Sequence, residues 1–363
     1  MNGTELKPPY FKQLDGLRFV AVLAIMAVHW LKISAIFKYS VIASNISVDL
    51  YFVLSGFLIT RILLLQKIKI AEKSTSRWQA IKNFYARRSL RIFPIYYLLI
   101  FICILLNISP AREIYPWLLS YTTNFLRLQI TELGPFGHLW TLAIEEQFYL
   151  VFPFFILWLP QRLLKKFLLG GILLALVSRC FAVYIFETPI AVYVFPFCCA
   201  DALCIGALLA YMLVYENSIL QLLKKKYLWW LSLFLFIFCA YRFLKISETD
   251  ALAFVLFRLS ISGLCTLIIG LGITNQYSGF AKSFLEHKLI MYLGKVCYGI
   301  YLYHFLAPFI ATYLYDLFPI QDPFPRFLVL EKALIYFILT MVMAAVSWQL
   351  IEQPINNLKK RFV

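Results

Sequence analysis

The stretch Leu17-Arg18-Phe19-Val20-Ala21-Val22-Leu23-Ala24-Ile25-Met26-Ala27-Val28-His29-Trp30 decides what kind of fold this chain adopts. It is apolar apart from an arginine at its mouth and a histidine deep inside it. Read as a helix, its eleven-residue spacing puts Arg18 and His29 on one face, about 16 Å apart along the axis. Ionisable groups inside a bilayer are expensive, and a purely structural position there could be filled by leucine. The pair therefore points to an anionic ligand held near one membrane surface, with acid–base chemistry performed deeper in.

The rest of the chain has the same character. Of 363 residues, 62% are hydrophobic and 14% charged, with a mean hydropathy of +0.80, more apolar surface than a soluble protein can hide. The expected fold is all-α, a polytopic transmembrane helix bundle. Apolar windows of about 20 residues fall near 17–37, 47–65, 92–107, 139–158, 167–186, 193–214, 228–245, 252–275, 289–316 and 333–350, which makes ten spans. The short window at 92–107 is expected to begin inside the basic segment before it. One membrane domain over 10–355 is expected, with cytoplasmic tails at 1–9 and 356–363. A cleaved signal peptide is not expected, because residues 1–16 are polar and offer no small-residue cleavage site.

The formal charge of +16 does not point to nucleic acid, because the cations are gathered in short runs between apolar segments. The loop Gln66 to Arg91, the runs Arg162/Lys165/Lys166 and Lys224/Lys225/Lys226, and the tail Lys359/Lys360/Arg361 all fall on one side when ten spans are counted. That side is the cytoplasm by the positive-inside rule, so both termini are expected there. The outer loops, near 38–46, 108–138, 187–192, 246–251 and 317–331, are poorer in lysine and arginine. The eight cysteines lie in apolar segments with no C-x-x-C spacing. They read as small packing residues, and no metal site is expected.

With that orientation, His29 lies slightly past the midplane, Glu145 and Glu146 enter their span from outside, and His304 sits in the outer half. Adjacent helical positions diverge by about 100°, so only one of the two glutamates can face a given spot. Histidine titrates near neutrality and suits removal of a proton from a hydroxyl, and a carboxylate such as Glu145 can orient its ring. The alternative for His29 is a core histidine bonded to a neighbouring helix. On the cytoplasmic side, Arg88 and Arg91 stand three apart on one helix face, a two-pronged cation suited to phosphates. Topology-setting arginines without a ligand are the alternative. Arg18 at the same membrane face adds a third cation, enough to attract a polyphosphorylated cofactor such as coenzyme A.

Several stretches in order resemble the motifs of the acyltransferase 3 family of membrane acyltransferases. They are Leu14-Asp15-Gly16-Leu17-Arg18 followed by His29, Val48-Asp49-Leu50-Tyr51-Phe52 through Leu58, Arg88 to Pro94, His138-Leu139-Trp140 through Tyr149, Tyr298 to His304, and Glu352-Gln353-Pro354. The resemblance covers about residues 10 to 355. It implies ten spans and transfer of an acyl group, commonly acetyl, from cytoplasmic acyl-CoA to a sugar at or beyond the outer face. In family terms Arg18 and His29 match an essential R-x10-H pair, Arg88 and Arg91 an R-x-x-R pair, and Glu145 the glutamate that follows the tryptophan. Thr141 stands where serine is common, which preserves the hydroxyl; Phe19 stands where glycine is common, so packing near Arg18 is expected to differ. The appended serine-hydrolase-like domain of some members is not expected here, which leaves direct acylation or a relay to a separate periplasmic transferase.

The resulting expectation is a bacterial inner-membrane O-acyltransferase, with acyl-CoA as donor and an envelope saccharide or glycolipid as acceptor. His29 and Glu145 are its expected catalytic residues, and Arg18, Arg88 and Arg91 its expected cofactor-binding residues. Asp15, Asp49, His138, Glu146, Tyr149 and His304 are expected to bind the acceptor or support the site. Asp49 near the outer surface reads equally as an exposed cap, and His138 as a solvated loop histidine. Ser55 and Gly56 read as close helix packing; Glu352, Arg179, Asp201, Arg242 and Arg258 read as structural pairs or cavity linings. The rival is a transporter or exporter of a small metabolite or saccharide, since mid-depth charges suit transport as well. The chain shows no repeat between halves, and proton-coupled transport needs no arginine clamp.

Overall fold

In the computed structural model the chain is described over residues 10–31, 37–130, 132–186, 188, 190–216, 218–245, 251–317 and 329–362. The expected tail 1–9 and most of the expected outer loops at 246–251 and 317–331 lie outside these. The described residues form helices and no strands. Eight of the helices are long and apolar enough to cross a membrane. An all-α polytopic bundle is therefore the architecture.

The first three long helices are α1 (Lys12–Trp30), α2 (Phe37–Ala71) and α3 (Arg77–Leu105). The expected loop Gln66–Arg91 is not a loop. α2 has 35 residues, about 52 Å at 1.5 Å per residue, well beyond the ~30 Å of hydrocarbon. It runs on past the apolar window, and α3 begins at Arg77 with Ser76 as its cap, the hydroxyl accepting from the Gln79 amide at 3.1 Å. The short 92–107 window does begin inside the basic segment. Lysine and arginine are good helix formers, so Lys82, Arg87, Arg88 and Arg91 ride on a helix.

Next come α4 (Trp140–Trp158), α5 (Gln161–Phe186), α6 (Ala200–Tyr215), α7 (Lys226–Lys245) and α8 (Ala251–Ile273). Lys67 ties α2 to α4 by donating to the carbonyls of Ile156, Leu157 and Leu159 at 2.8, 3.3 and 2.6 Å, which satisfies the last turn of α4. The span expected at 289–316 is broken into α9 (Lys288–Lys295), α10 (Cys297–Tyr303) and α11 (Leu306–Leu317), before α12 (Val329–Ser347). A count of apolar run length does not register these breaks at Val296 and His304, although Pro308, lacking the N–H that would bond the His304 carbonyl, accounts for the second.

Two close approaches set the geometry. α2 and α6 cross with backbones touching: a Cβ on Gly206 would sit 2.0 Å from the Val53 carbonyl oxygen, and one on Gly56 2.0 Å from that of Leu203. A Cβ on Gly294 would sit 1.9 Å from the Asp15 carbonyl oxygen, so α9 lies directly against the start of α1. Helix pairs in lipid gain from such contact because hydrocarbon offers no hydrophobic drive between them.

Asp49 corrects the sequence reading. It is neither an exposed cap nor placed to meet an acceptor, being fully buried in α2. Arg258 of α8 donates to its two oxygens at 2.5 and 3.2 Å, and Ser262 at 3.3 Å. A second pair, Arg179 of α5 with Asp201 of α6 at 2.5 and 2.8 Å, is equally buried. A carboxylate without water needs a partner, and α8 supplies one. Removing one partner of a buried pair costs about 3–5 kcal/mol, whereas replacing both by apolar groups is often neutral. Asp49→Leu is expected to lower thermal stability in detergent severely, and Asp49→Leu with Arg258→Met to recover most of it. Melting followed by fluorescence-detected gel filtration measures both.

Candidate active site

Two cavities meet in the bundle. The first, about 100 Å³ in volume, lies at the Arg18 end of α1, between α1, α2, α3, α4 and α10. Arg18, Arg88 and Arg91 all line it, as do Glu145, Glu146 and Tyr149. Arg88 and Arg91 share a face because they are three apart on α3, as the spacing requires. Arg88 lies over the Tyr149 ring at 5.2 Å, a contact that orients the guanidinium without neutralising it. Arg18 is aimed from behind: its Nη1 donates to Asp15 at 2.8 Å, and the Tyr51 hydroxyl donates to its backbone carbonyl at 2.7 Å. Asp15 also accepts a very short bond from the Tyr10 hydroxyl. Burial, then the neighbouring Asp15 carboxylate, raise the Tyr10 hydroxyl above its ordinary value, so it stays protonated and donating. Asp15 therefore supports Arg18 and lines neither cavity.

Glu145 accepts from the Ser55 hydroxyl at 2.6 Å. Ser55 was expected only as packing, so sequence reading missed its role; the two residues are 90 positions apart and only the α2–α4 contact joins them. Nothing in this arrangement has Glu145 orienting His29, because the two line different cavities. The ~100° divergence of neighbouring helical positions did not separate the glutamates either: Glu146 lines the same cavity as Glu145.

The second cavity, about 1040 Å³, lies at the His29 end. His29, Trp30, Asn45, His138 and Tyr193 are among its walls. Three of the four histidines of the chain meet here. His29 Nδ1 lies 3.0 Å from His304 Nε2, and the His138 and His304 ring centroids are 4.8 Å apart. His138 is not a solvated loop histidine; it is 4% exposed. Phe305 stacks on it, centroids 4.8 Å apart. Neither of its ring nitrogens reaches a well-formed hydrogen bond among the described residues, although the backbone of Pro135, Tyr301 and Leu302 faces the ring. His287, by contrast, is exposed.

Four residues, Ile25, Val48, Thr141 and Tyr301, line both cavities and form the partition between them. The Tyr301 and Thr141 hydroxyls are 2.6 Å apart, and Tyr301 donates to the His138 carbonyl at 3.0 Å. Of the two, Thr141 was noted from sequence only as a replacement for serine, and Tyr301 was given no role. Tyr301 stands three residues before His304, the signal that could have found it. On α1 the order Arg18, Ile25, His29 runs from the small cavity through the partition to the large one, so the common face read from sequence is real.

The chain matches the family model described as "Acyltransferase domain", the acyltransferase 3 model, over residues 11–352. It belongs to that family. Among curated proteins it is similar to a peptidoglycan O-acetyltransferase OatA of Listeria monocytogenes, 30% identical over 392 residues, covering 98% of this chain and 57% of that protein. It is 28% identical to a putative peptidoglycan O-acetyltransferase, YrhL, of Bacillus subtilis, covering 96% of this chain and 55% of that protein. An O-acetyltransferase OatA of Staphylococcus aureus is also 28% identical, with 96% and 58% covered. The chain thus spans a little over half the length of these relatives. No solved structure matches it.

The partition makes a testable statement about access. Cys297 lines the small cavity. With the other seven cysteines replaced by serine, Cys297 is expected to react slowly with a membrane-impermeant maleimide applied from the His29 side. Tyr301→Ala should speed that labelling, and an unchanged rate would place the partition elsewhere.

Proposed function

We propose that this chain is an integral-membrane O-acetyltransferase of the bacterial inner membrane, with ten spans and both termini in the cytoplasm. It would move acetyl from cytoplasmic acetyl-CoA to a hydroxyl of a cell-envelope saccharide. The observation that carries this reading is one helix face holding Arg18 in an arginine-lined cavity and His29 in a roomy one, with a thin shared wall between. Arg18, Arg88 and Arg91 suit the phosphates of coenzyme A. A donor cavity of about 100 Å³ favours a short acyl group such as acetyl, while about 1040 Å³ gives room for sugar rings. The relatives' names make peptidoglycan the first acceptor to try.

In this reading the acceptor hydroxyl gives its proton to His29 as its oxygen attacks the thioester carbonyl carbon at the partition. The carbon–sulfur bond breaks, and His29 returns the proton to the leaving thiolate, so no charge accumulates across the cycle. The step is the same whether the hydroxyl belongs to the saccharide or to a carrier on a separate periplasmic transferase. Glu145, held by Ser55 beside Arg88 and Arg91, balances cationic charge when no donor is bound and gives way to phosphate when one is.

Two measurements on protein in lipid vesicles test this. With radiolabelled acetyl-CoA and muropeptide fragments, His29→Ala and His29→Gln should each lose roughly 10²–10⁴-fold in turnover, the range for a lost general base, while still inserting and folding. Wild-type turnover in either would remove His29 from the mechanism, and saccharide flux without thioester consumption would assign transport instead. Arg88→Ala and Arg91→Ala should each raise KM for acetyl-CoA roughly tenfold, the value of one charge-assisted hydrogen bond, with kcat changed less. An unaltered KM in both would move the donor site away from this cavity.

A further inference from the structure

His304 is tied at both ring nitrogens. Its Nδ1 lies 2.5 Å from the Tyr301 carbonyl oxygen and its Nε2 lies 3.0 Å from His29 Nδ1. The first contact exists because α10 stops at Tyr303: carbonyls in a helix's last turn lack an intrahelical partner, and the ring of His304 takes up that of Tyr301. A carbonyl oxygen only accepts, so His304 Nδ1 must carry a hydrogen. In a neutral imidazole the other nitrogen is then a lone pair. His304 Nε2 therefore accepts, and the hydrogen between the rings belongs to His29 Nδ1. A ring flip of His304 would put carbon against both partners and lose both bonds.

The surroundings hold this order in place. Trp30 Nε1 donates to the His304 carbonyl at 3.1 Å, fixing the backbone on which the ring stands. Phe305 meets His29 edge-on with centroids 4.4 Å apart, and the His29 and His304 rings lie 17° from parallel. His138 packs against His304 without a well-formed hydrogen bond to it, so it does not compete for Nε2.

We propose that His304 is a positioning residue that fixes the tautomer of His29, leaving the lone pair of His29 on Nε2, the ring edge turned away from His304. The Tyr301 carbonyl sets His304, and His304 sets His29, a relay of two imidazoles anchored on the backbone. When His29 takes the acceptor's proton at Nε2, the imidazolium keeps its Nδ1–H on His304 Nε2, and no second proton moves. This inference rests on His29 being the base and adds which nitrogen acts and what selects it.

Nitrogen NMR of isotopically histidine-labelled protein in bilayers reads the tautomer directly, with the His29 signals assigned by their loss in His29→Gln. His29 is expected to show a protonated Nδ1 and an unprotonated Nε2. Free imidazole side chains favour the opposite tautomer, so this pattern marks a specific partner. In His304→Phe, which keeps an aromatic ring, kcat should fall roughly 10–100-fold, as when an orienting partner of a histidine is removed, with both KM values retained. His304→Gln, which can place an amide oxygen near the Nε2 position, should restore most of the rate. A protonated Nε2 on His29 in the wild type, or wild-type kcat in His304→Phe, would overturn the proposal. The tautomer measurement needs no turnover, so it stands even where a variant fails to fold. Full activity in His29→Gln would instead reject the general-base reading itself.

Discussion

In hydrocarbon a charged group must find a partner or a wet cavity, and that constraint organises this molecule. Asp49 with Arg258 and Arg179 with Asp201 take the first course and become sealed struts between α2 and α8 and between α5 and α6. Arg18, Arg88, Arg91 and Glu145 take the second and surround the small cavity. The two classes look alike in a hydropathy plot. They differ only in whether a neighbouring helix presents the complementary group at the same depth.

Glycine placement decides which helices can make those approaches. Gly56 and Gly206 let α2 and α6 touch, and Gly294 lets α9 lie on the Asp15 backbone. The second contact has the larger consequence for the site. With α9 anchored on the mouth of α1, α10 leads from the small cavity to the partition, and His304 arrives beside His29. A continuous helix over 289–316 would have kept the Tyr301 carbonyl in its own ladder. The break frees that carbonyl, and the pairing of the two histidines follows from it.

The same economy appears at the partition. One tyrosine and one threonine, with Ile25 and Val48, separate the arginine-lined cavity from the larger one that His29 and His138 line. His29 stands at that wall on the roomy side, and Arg18 on the other, because one helix face carries both.

The sequence by itself determined the all-α bundle, the face shared by Arg18 and His29, and the pairing of Arg88 with Arg91. Each of these is local: apolar run length, eleven residues on one helix, three residues on another. Tertiary structure alone decided that Glu145 belongs with Ser55, that Asp49 is consumed by Arg258, and that His304 rather than the expected Glu145 stands against His29. Those partners lie between 90 and 275 residues apart, and helical periodicity carries no information about which faces of different helices meet. The broken span at 289–316 was hidden for a related reason. Its residues are apolar enough that run length joins them, although Pro308, which has no N–H to offer the His304 carbonyl four residues back, is a local breaker of the helix there.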